Sequence, residues 1–517
     1  MKQLLTVLRT LVEQRLLNRS PELRRSIRNA AYSSLDYLLL PILWIIATPI
    51  LVSQLGTDRY GIWTLANTFM GLTGVFAFGL GDATIKYVSK YRALNDESGV
   101  VRVVRSTLTM YTIFGLAAAL IIFSAAPLLV RTVFSTIQAD NAALAVAALR
   151  VSAFGTMVRF IDGVFAAGMH GFERYDLAAK ISMIITTLIV AGNVGLVLLG
   201  FGVREMLMTS ITLVLIGALV KSFILKRQLV PSLVIAPLFD LTTLKEIFSF
   251  GVYSWVQSLS YMLLGQADKI IITSLLGPSA LTYYAICLQL AQQIHTLISR
   301  ATSFLFPLAS VIKEQGDTKR LQNFYFKGIH FTTIMGVAIG FPIFMLSHTI
   351  LTLWMGVEFA DEAAIILRIL SFTFTLLVTS IVPYYYLNGT GFVRLNAIFG
   401  LASGLIVAAT AFVSIPLLGI AGAAWARAAN APVDVISRTI LHFKVLDDRR
   451  WYAGVYIFLP VLVAFAIGLL LLRSFGEPSL NFWGFIGVGV CYAALGLAMG
   501  FGVTHSLTRT GAATVQS

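Results

Sequence analysis

Charge is what this chain has least of: 12% of its 517 residues are Asp, Glu, Lys or Arg, against roughly 25% in a soluble domain. With 57% hydrophobic residues beside it, that scarcity excludes a water-soluble fold. Cysteine is almost absent. Cys287 and Cys491 both lie in apolar stretches, so a disulfide framework and a cysteine metal site are excluded, and both are expected to be small buried residues. Catalytic signatures are missing as well: there is no His-Glu-x-x-His, no phosphate-binding Gly-x-x-x-x-Gly-Lys loop and no Gly-x-Ser-x-Gly elbow. His170, His295 and His330 stand singly and read as structural. No catalytic residue, no resident metal and no cofactor is expected. Acidic residues are short too, 24 against 38 Lys and Arg, for a net charge of +14. Nucleic-acid binding would need those cations gathered on a soluble face. No soluble segment is long enough, so no nucleic-acid partner is expected.

What is there is apolar runs of spanning length. A helix needs about 20 mostly apolar residues to cross a hydrocarbon core of roughly 30 Å. By that measure the chain holds about fourteen spans and is an all-α integral membrane protein. The first seven are Ser33–Gln54, Tyr60–Gly81, Ser106–Val130, Ala143–Met169, Ile181–Leu199, Met206–Leu225 and Phe248–Leu276. The second seven are Leu281–Leu308, Ile329–Ile350, Ala363–Leu387, Leu395–Leu418, Ala421–Ile436, Tyr452–Leu472 and Phe482–Val503. Residues 1–32 carry Leu4, Leu8, Leu11, Val12 and Leu16 at helical spacing among charges, which predicts a retained amphipathic helix on the cytoplasmic membrane surface. Assigning loops alternately places most Lys and Arg on the side of the N-terminus and leaves Arg59, Arg131, Arg204 and Arg473 opposite. The positive-inside rule therefore predicts both termini in the cytoplasm, and the basic excess also suits anionic lipid headgroups. The far-side loops are short, with no room for a catalytic domain.

An internal repeat organises the chain. Leu55-Gly56 followed by Gly61 and Trp63 matches Leu276-Gly277 followed by Thr282 and Tyr284, and Leu149-Arg150 with Gly171 matches Leu367-Arg368 with Gly389. Six spans per repeat keep the orientation, which predicts two parallel six-helix lobes about an axis along the membrane normal, with a substrate cavity between them. The expected divisions are 33–225 for the first lobe, 226–247 for a cytoplasmic linker broken by Pro231 and Pro237, and 248–440 for the second lobe. Residues 441–504 form an accessory pair of spans and 505–517 a cytoplasmic tail.

Laid out this way, the chain resembles the polysaccharide-export branch of the multidrug/oligosaccharidyl-lipid/polysaccharide exporter superfamily, the Wzx-type O-antigen flippases. The resemblance is carried by LVSQLGTDRYGIWTLANTFMGLTGVFAFGLGDATIKYVSKYR from Leu51 to Arg92 and by ADKIIITSLLGPSALTYYAICLQL from Ala267. It implies a two-lobed transporter of the bacterial inner membrane that alternates between inward-open and outward-open states. Its substrate would be a polyprenyl-pyrophosphate-linked oligosaccharide repeat unit, carried outward for polysaccharide biosynthesis. Membrane lipids and other polysaccharide-assembly membrane proteins are the implied partners.

Such a substrate needs cations for its pyrophosphate, and charged groups inside a membrane are costly enough to mark function. Arginine suits phosphate because its planar fork makes two hydrogen bonds at once. The candidates are Arg300 and Arg159, which lie deeper in their spans, and Arg427, Arg368 and Lys269. Arg150, Lys269 and Arg368 sit near helix ends, where snorkelling is a simpler account. Arg159 and Asp162 are spaced to pair on one helix face, and so are Arg427 and Asp434. Asp36, Asp268, Asp162 and Asp434 are the carboxylates in the spans, able to exchange a proton or hold Na⁺ and so to couple transport to H⁺ or Na⁺. Pro41, Pro49, Pro342, Pro383 and Pro432 interrupt spans. The run Tyr384, Tyr385, Tyr386 suits sugar stacking or an interfacial aromatic belt. Competing functions are a cation-coupled exporter of organic cations or drugs on the same fold, a membrane glycan polymerase or ligase, and a non-transporting scaffold. The excess of basic over acidic residues in the spans favours an anionic substrate.

Overall fold

The structure is a computed structural model and describes residues 41–447, 456–477, 484, 487–495 and 497–498. The predicted N-terminal surface helix, the first part of span one, the start of span thirteen, part of span fourteen and the C-terminal tail lie outside the described residues, as does Asp36. Every regular element among the described residues is a helix. In chain order they begin with α1 (Pro41–Leu55), α2 (Thr57–Gly71), α3 (Leu80–Ala93), α4 (Glu97–Thr132), α5 (Ala139–Gly171), α6 (Tyr175–Leu198) and α7 (Val203–Ile224). Next come α8 (Leu241–Met262), α9 (Asp268–Leu276), α10 (Pro278–Thr302), α11 (Leu305–Glu314), α12 (Thr318–Met345) and α13 (Ser347–Met355). The series ends with α14 (Val357–Val378), α15 (Ile381–Gly389), α16 (Val393–Leu418), α17 (Ile420–Ala426), α18 (Ala431–Lys444) and α19 (Leu459–Phe475).

Seven of the described helical stretches are long and apolar enough to cross a membrane by length and composition. Several other expected spans are broken into shorter pieces, and local chemistry explains the breaks. The second expected span stops at Gly71, resumes for one turn at Thr73–Phe76, and is separated from α3 by Phe78 and Gly79, which take positive φ (48° and 68°). The twelfth is split at a 3₁₀ turn, Arg427–Asn430. Pro432 lies just beyond it; its ring blocks the carbonyl four residues back, at Ala428, and the chain tightens where the α bond is lost. The tenth is interrupted at Thr379–Ser380, where Pro383 removes the same bond. The seventh contains a π-turn, Leu263–Ala267, between α8 and α9.

The chain divides into two compact units. Unit 1 comprises residues 1–54, 76–124 and 149–252, and unit 2 comprises 55–75, 125–148 and 253–517. In unit 1, Leu80, Val104, Tyr111, Phe160, Val164, Met169 and Leu225 form a buried core. Its segment 230–240 is pinned along α4. Glu97 accepts from the backbone N–H and hydroxyl of Ser232 (3.0 and 2.6 Å), Arg105 donates to the Ala236 carbonyl (2.9 Å), and the Thr109 hydroxyl exchanges bonds with Leu238 (2.8 Å each). These contacts satisfy backbone groups that no helix serves. Ser232 holds the Glu97 carboxyl below the usual range, and the Thr243 hydroxyl does the same for Asp240.

Unit 2 has two buried clusters, one around Tyr325, Tyr386 and Leu441 and one around Phe341, Phe344 and Phe465. Within it Gly56 and Gly277, the glycines of the Leu-Gly repeat, take the same left-handed conformation (φ 78° and 93°) one residue ahead of α2 and α10. The other repeated glycines also correspond. A Cβ on Gly171 would strike Val88 and the Ile85 carbonyl, and one on Gly389 would strike Ala309 and the Phe306 carbonyl. Each glycine lets its helix end lie against another helix within its own unit, α3 in unit 1 and α11 in unit 2.

Candidate functional site

In unit 2 the two irregular turns meet at a buried ion pair. Asp268 comes directly after the π-turn and Arg427 opens the 3₁₀ turn; they are 2% and 8% exposed. An added residue in a π-turn rotates the downstream residues relative to a regular α-helix, which fixes the face that carries Asp268. Arg427 donates to Asp268 Oδ2 (2.5 Å) and to the Tyr284 hydroxyl (2.9 Å), and Tyr284 donates in turn to Asp268 Oδ2 (2.5 Å). The other carboxylate oxygen accepts from the Lys269 backbone N–H at 2.9 Å. The guanidinium lies 5.5 Å over the Phe374 ring. Two charges removed from water are tolerable only when geometry and hydrogen bonds offset desolvation, and here the carboxylate is fully engaged. This triad holds helices together and occupies Nε and one Nη of Arg427.

Beside it is a cavity of about 180 Å³, lined from α8, α15, α16 and α18 and by Leu264, Ser380 and Asn430. Asp434 faces it and accepts from Asn430 Nδ2 at 3.1 Å. The expected Arg427–Asp434 pairing is not made. Their spacing shares a face only at 3.6 residues per turn, and the 3₁₀ turn between them shifts the phase, so Arg427 pairs with Asp268 instead. Arg438, fully buried, also lines the cavity, donating to the Thr379 hydroxyl (2.7 Å) with its guanidinium 4.2 Å over Phe458.

Unit 1 presents a different arrangement. Lys221 Nζ donates to both oxygens of Asp162 (2.7 and 2.8 Å). Asp162 therefore takes its cation from another helix, not from Arg159 three residues before it. Arg159 is exposed and makes no hydrogen bond or ion pair among the described residues. It sits about 140° round α5 from Phe154, at roughly 100° per residue. Phe154 is itself exposed and packs on Phe123, as does the Arg150 guanidinium.

The remaining candidates are spread out. Arg368 donates to Glu477 Oε2 (2.6 Å) and to the Phe344 carbonyl, while Glu477 Oε1 accepts from the Thr349 N–H (2.7 Å). That makes it a clamp between helix ends. Lys269 reaches Gln266 Oε1 at 3.2 Å. Arg300 is exposed in the last turn of α10, about 33 Å along the helix from Pro278 at 1.5 Å per residue, so it lies toward the far end of its helix. The tyrosine run points three ways: Tyr386 is buried against Tyr325, Tyr385 bonds with Ser299, and Tyr384 lines the cavity. Cys287 is buried as expected, whereas Cys491 is exposed. Lys221, Arg438 and Glu477 were not among the sequence candidates. Lys221 had a signal, being a lone cation inside the run ITLVLIGALVKSFIL, residues 211–225.

Long apolar helices whose interior charges are met by partners on other helices define a multi-pass integral membrane protein. The chain belongs to the family described as polysaccharide biosynthesis protein, which matches residues 50–364. It is 20% identical over 400 residues, 77% of this chain and 93% of the relative, to a protein of Shigella flexneri named as an O-antigen transporter. Its fold is similar to that of the lipid II flippase MurJ in an inward closed conformation, with a TM-score of 0.70 at 12% identity over 90% of this chain and 98% of the other. It is also similar to an inward-facing multidrug resistance MATE family transporter of the MOP superfamily, with a TM-score of 0.63 at 16% identity over 86% and 96%. The fold is that of the multidrug/oligosaccharidyl-lipid/polysaccharide exporter superfamily.

Proposed function

We propose that the chain flips lipid-linked oligosaccharide repeat units from the cytoplasmic to the outer leaflet of a bacterial inner membrane by alternating access, supplying polysaccharide biosynthesis. The family and its O-antigen transporter relative support the substrate class. The observation that carries the reading is Arg159: an exposed cation within an apolar helix that makes no hydrogen bond or ion pair among the described residues, its acidic neighbour Asp162 being bonded to Lys221. An exposed guanidinium at membrane depth needs an anion or a hydrated lumen, and a pyrophosphate provides the first. Arg300, exposed in the last turn of α10 in unit 2, is a separate candidate for contact with an anionic group. Fourteen spans in two six-helix lobes with an accessory pair, and both termini in the cytoplasm, complete the arrangement. Asp434, whose nearest bonded partner is a neutral amide, is the carboxylate through which H⁺ or Na⁺ would couple.

The test is deletion of the protein in its native cell, followed by location of the lipid-linked glycan. Intact repeat units should accumulate on the cytoplasmic leaflet and be cleared by the wild-type protein but not by Arg159→Ala. Normal delivery to the outer leaflet overturns the reading, and efflux of organic cations by the purified protein in vesicles would replace it.

A further inference from the structure

We propose that the cavity in unit 2 is a subsite for one uncharged sugar ring of the transported glycan, an inference that rests on the flippase reading and names the part of the substrate this cavity takes. Its walls hold unused hydrogen-bonding capacity. The side chains of Asn396, Ser403 and Ser437, all lining the cavity, make no hydrogen bond among the described residues, and the buried Asn430 Oδ1 has no partner. Ser403, Ser437 and Asn430 are 6%, 8% and 9% exposed. Asn430 Oδ1 is a buried acceptor without a partner, which is costly, and the Asn396 amide and the Ser403 and Ser437 hydroxyls beside it make the wall polar, which suits a polar occupant.

The lining determines the kind of occupant. Hydroxyls and amides both donate and accept, as the hydroxyls of a sugar do, whereas an anion would need donors only and a cation acceptors only. The charges at the wall, Asp434 and Arg438, cancel, so the cavity favours neither sign. A carboxylate held beside an amide, as Asp434 is by Asn430, offers two acceptor oxygens that adjacent hydroxyls can reach. Tyr384 contributes an aromatic ring at the rim, 36% exposed, with its hydroxyl accepting from Gln257 Nε2 at 3.5 Å. Such a face suits the apolar side of a ring. The volume, about 180 Å³, is several times the ~30 Å³ of one water and below the ~300 Å³ where drug-sized pockets begin. It is room for a single ring.

The test uses the full-length protein in lipid nanodiscs and saturation-transfer NMR. The probes are methyl α-glucoside, methyl α-galactoside and N-acetylglucosamine at millimolar concentration, with tetraphenylphosphonium and inorganic pyrophosphate as competitors. Ring protons of at least one sugar should be saturated, neither competitor should displace it, and Tyr384→Ala and Asn396→Ala should each reduce the signal at least fivefold. Both positions are partly exposed, and an unchanged melting temperature shows that the variants fold. No saturation with any sugar, equal saturation in both folded variants, or displacement by tetraphenylphosphonium overturns the subsite. The deletion assay separates this from the parent reading. Glycan accumulation without sugar binding defeats the subsite alone, whereas sugar binding without glycan accumulation defeats the flippase and upholds a ring site.

Discussion

Both units pair their buried charges, and they differ in what stands outside the pairs. In unit 2 the carboxylate of Asp268 is met by Arg427 and Tyr284, Arg368 by Glu477, and Asp434 lies across a cavity wall from Arg438. In unit 1 Lys221 and Asp162 cancel, and Arg159 is left over. A cancelled pair sets where helices sit; on the proposed function, a cation outside such a pair sets what they attract. Residue type alone does not separate the two roles, because Arg427 and Arg159 are both arginines within apolar helices.

The largest effect expected from breaking this contrast is at the cancelled pair. Arg427→Met leaves Asp268 buried and unpaired, which costs roughly 3–5 kcal/mol. It should lower the melting temperature of the detergent-purified protein sharply, while the double variant Arg427→Met/Asp268→Leu recovers most of the loss. Equal destabilisation by the single and double variants would show that the pair is not what the site needs. Arg159→Ala should do the reverse, leaving the melting temperature unchanged but reducing glycan translocation at least tenfold, about 1.4 kcal/mol of lost interaction. Arg159→Lys should restore part of it, since the charge returns without the fork.

The repeated glycines allow a comparison of intermediate size. Gly171→Ala and Gly389→Ala both overpack, at about 1–3 kcal/mol each. Gly389 should be the worse, because the Cβ meets the Phe306 backbone carbonyl most closely, whereas at Gly171 the first obstacle is the Val88 side chain. Thermal unfolding of the two single variants ranks them. The smallest effect belongs to the segment pinned on α4. Glu97 and Asp240 have carboxyls held below their usual pKa, by Ser232 and Thr243 first of all. Their contribution is present above the unfolded values of about 4.5 and 3.8 and is lost as pH falls through the lower folded values. Amide exchange in residues 230–240 should therefore be protected equally at pH 7 and pH 5.5, and should quicken, after correction for intrinsic rates, only below pH 4.

Much of the fold was legible because membrane helices announce themselves by apolar length, and because a glycine demanded by backbone geometry survives in both repeats. Gly56 and Gly277 share a conformation, as their matched context predicts. The break at Arg427–Asn430 was half legible, since Pro432 marks it. The pairings were not. Asp268 and Arg427 stand 159 residues apart, and nothing local distinguishes that partner from Asp434, seven residues along the same span. The sixth span hid Lys221 in plain view, and Glu477 falls in a loop that hydropathy passes over. Spacing within a helix is readable; which helix lies opposite is a property of packing.

The π-turn at Leu263–Ala267 makes the unit of change at this site a whole residue. Its sequence, LLGQA, has no proline to announce it, and a wide turn of this kind holds one residue more than an α turn. Removing that residue would close the wide turn into an α turn and leave Asp268 facing Arg427 and Tyr284, whereas a residue inserted or removed elsewhere in α8 would swing it by roughly 100° away from them. The turn is thus a place in the helix where a change of length is absorbed locally, without moving the face that carries the ion pair.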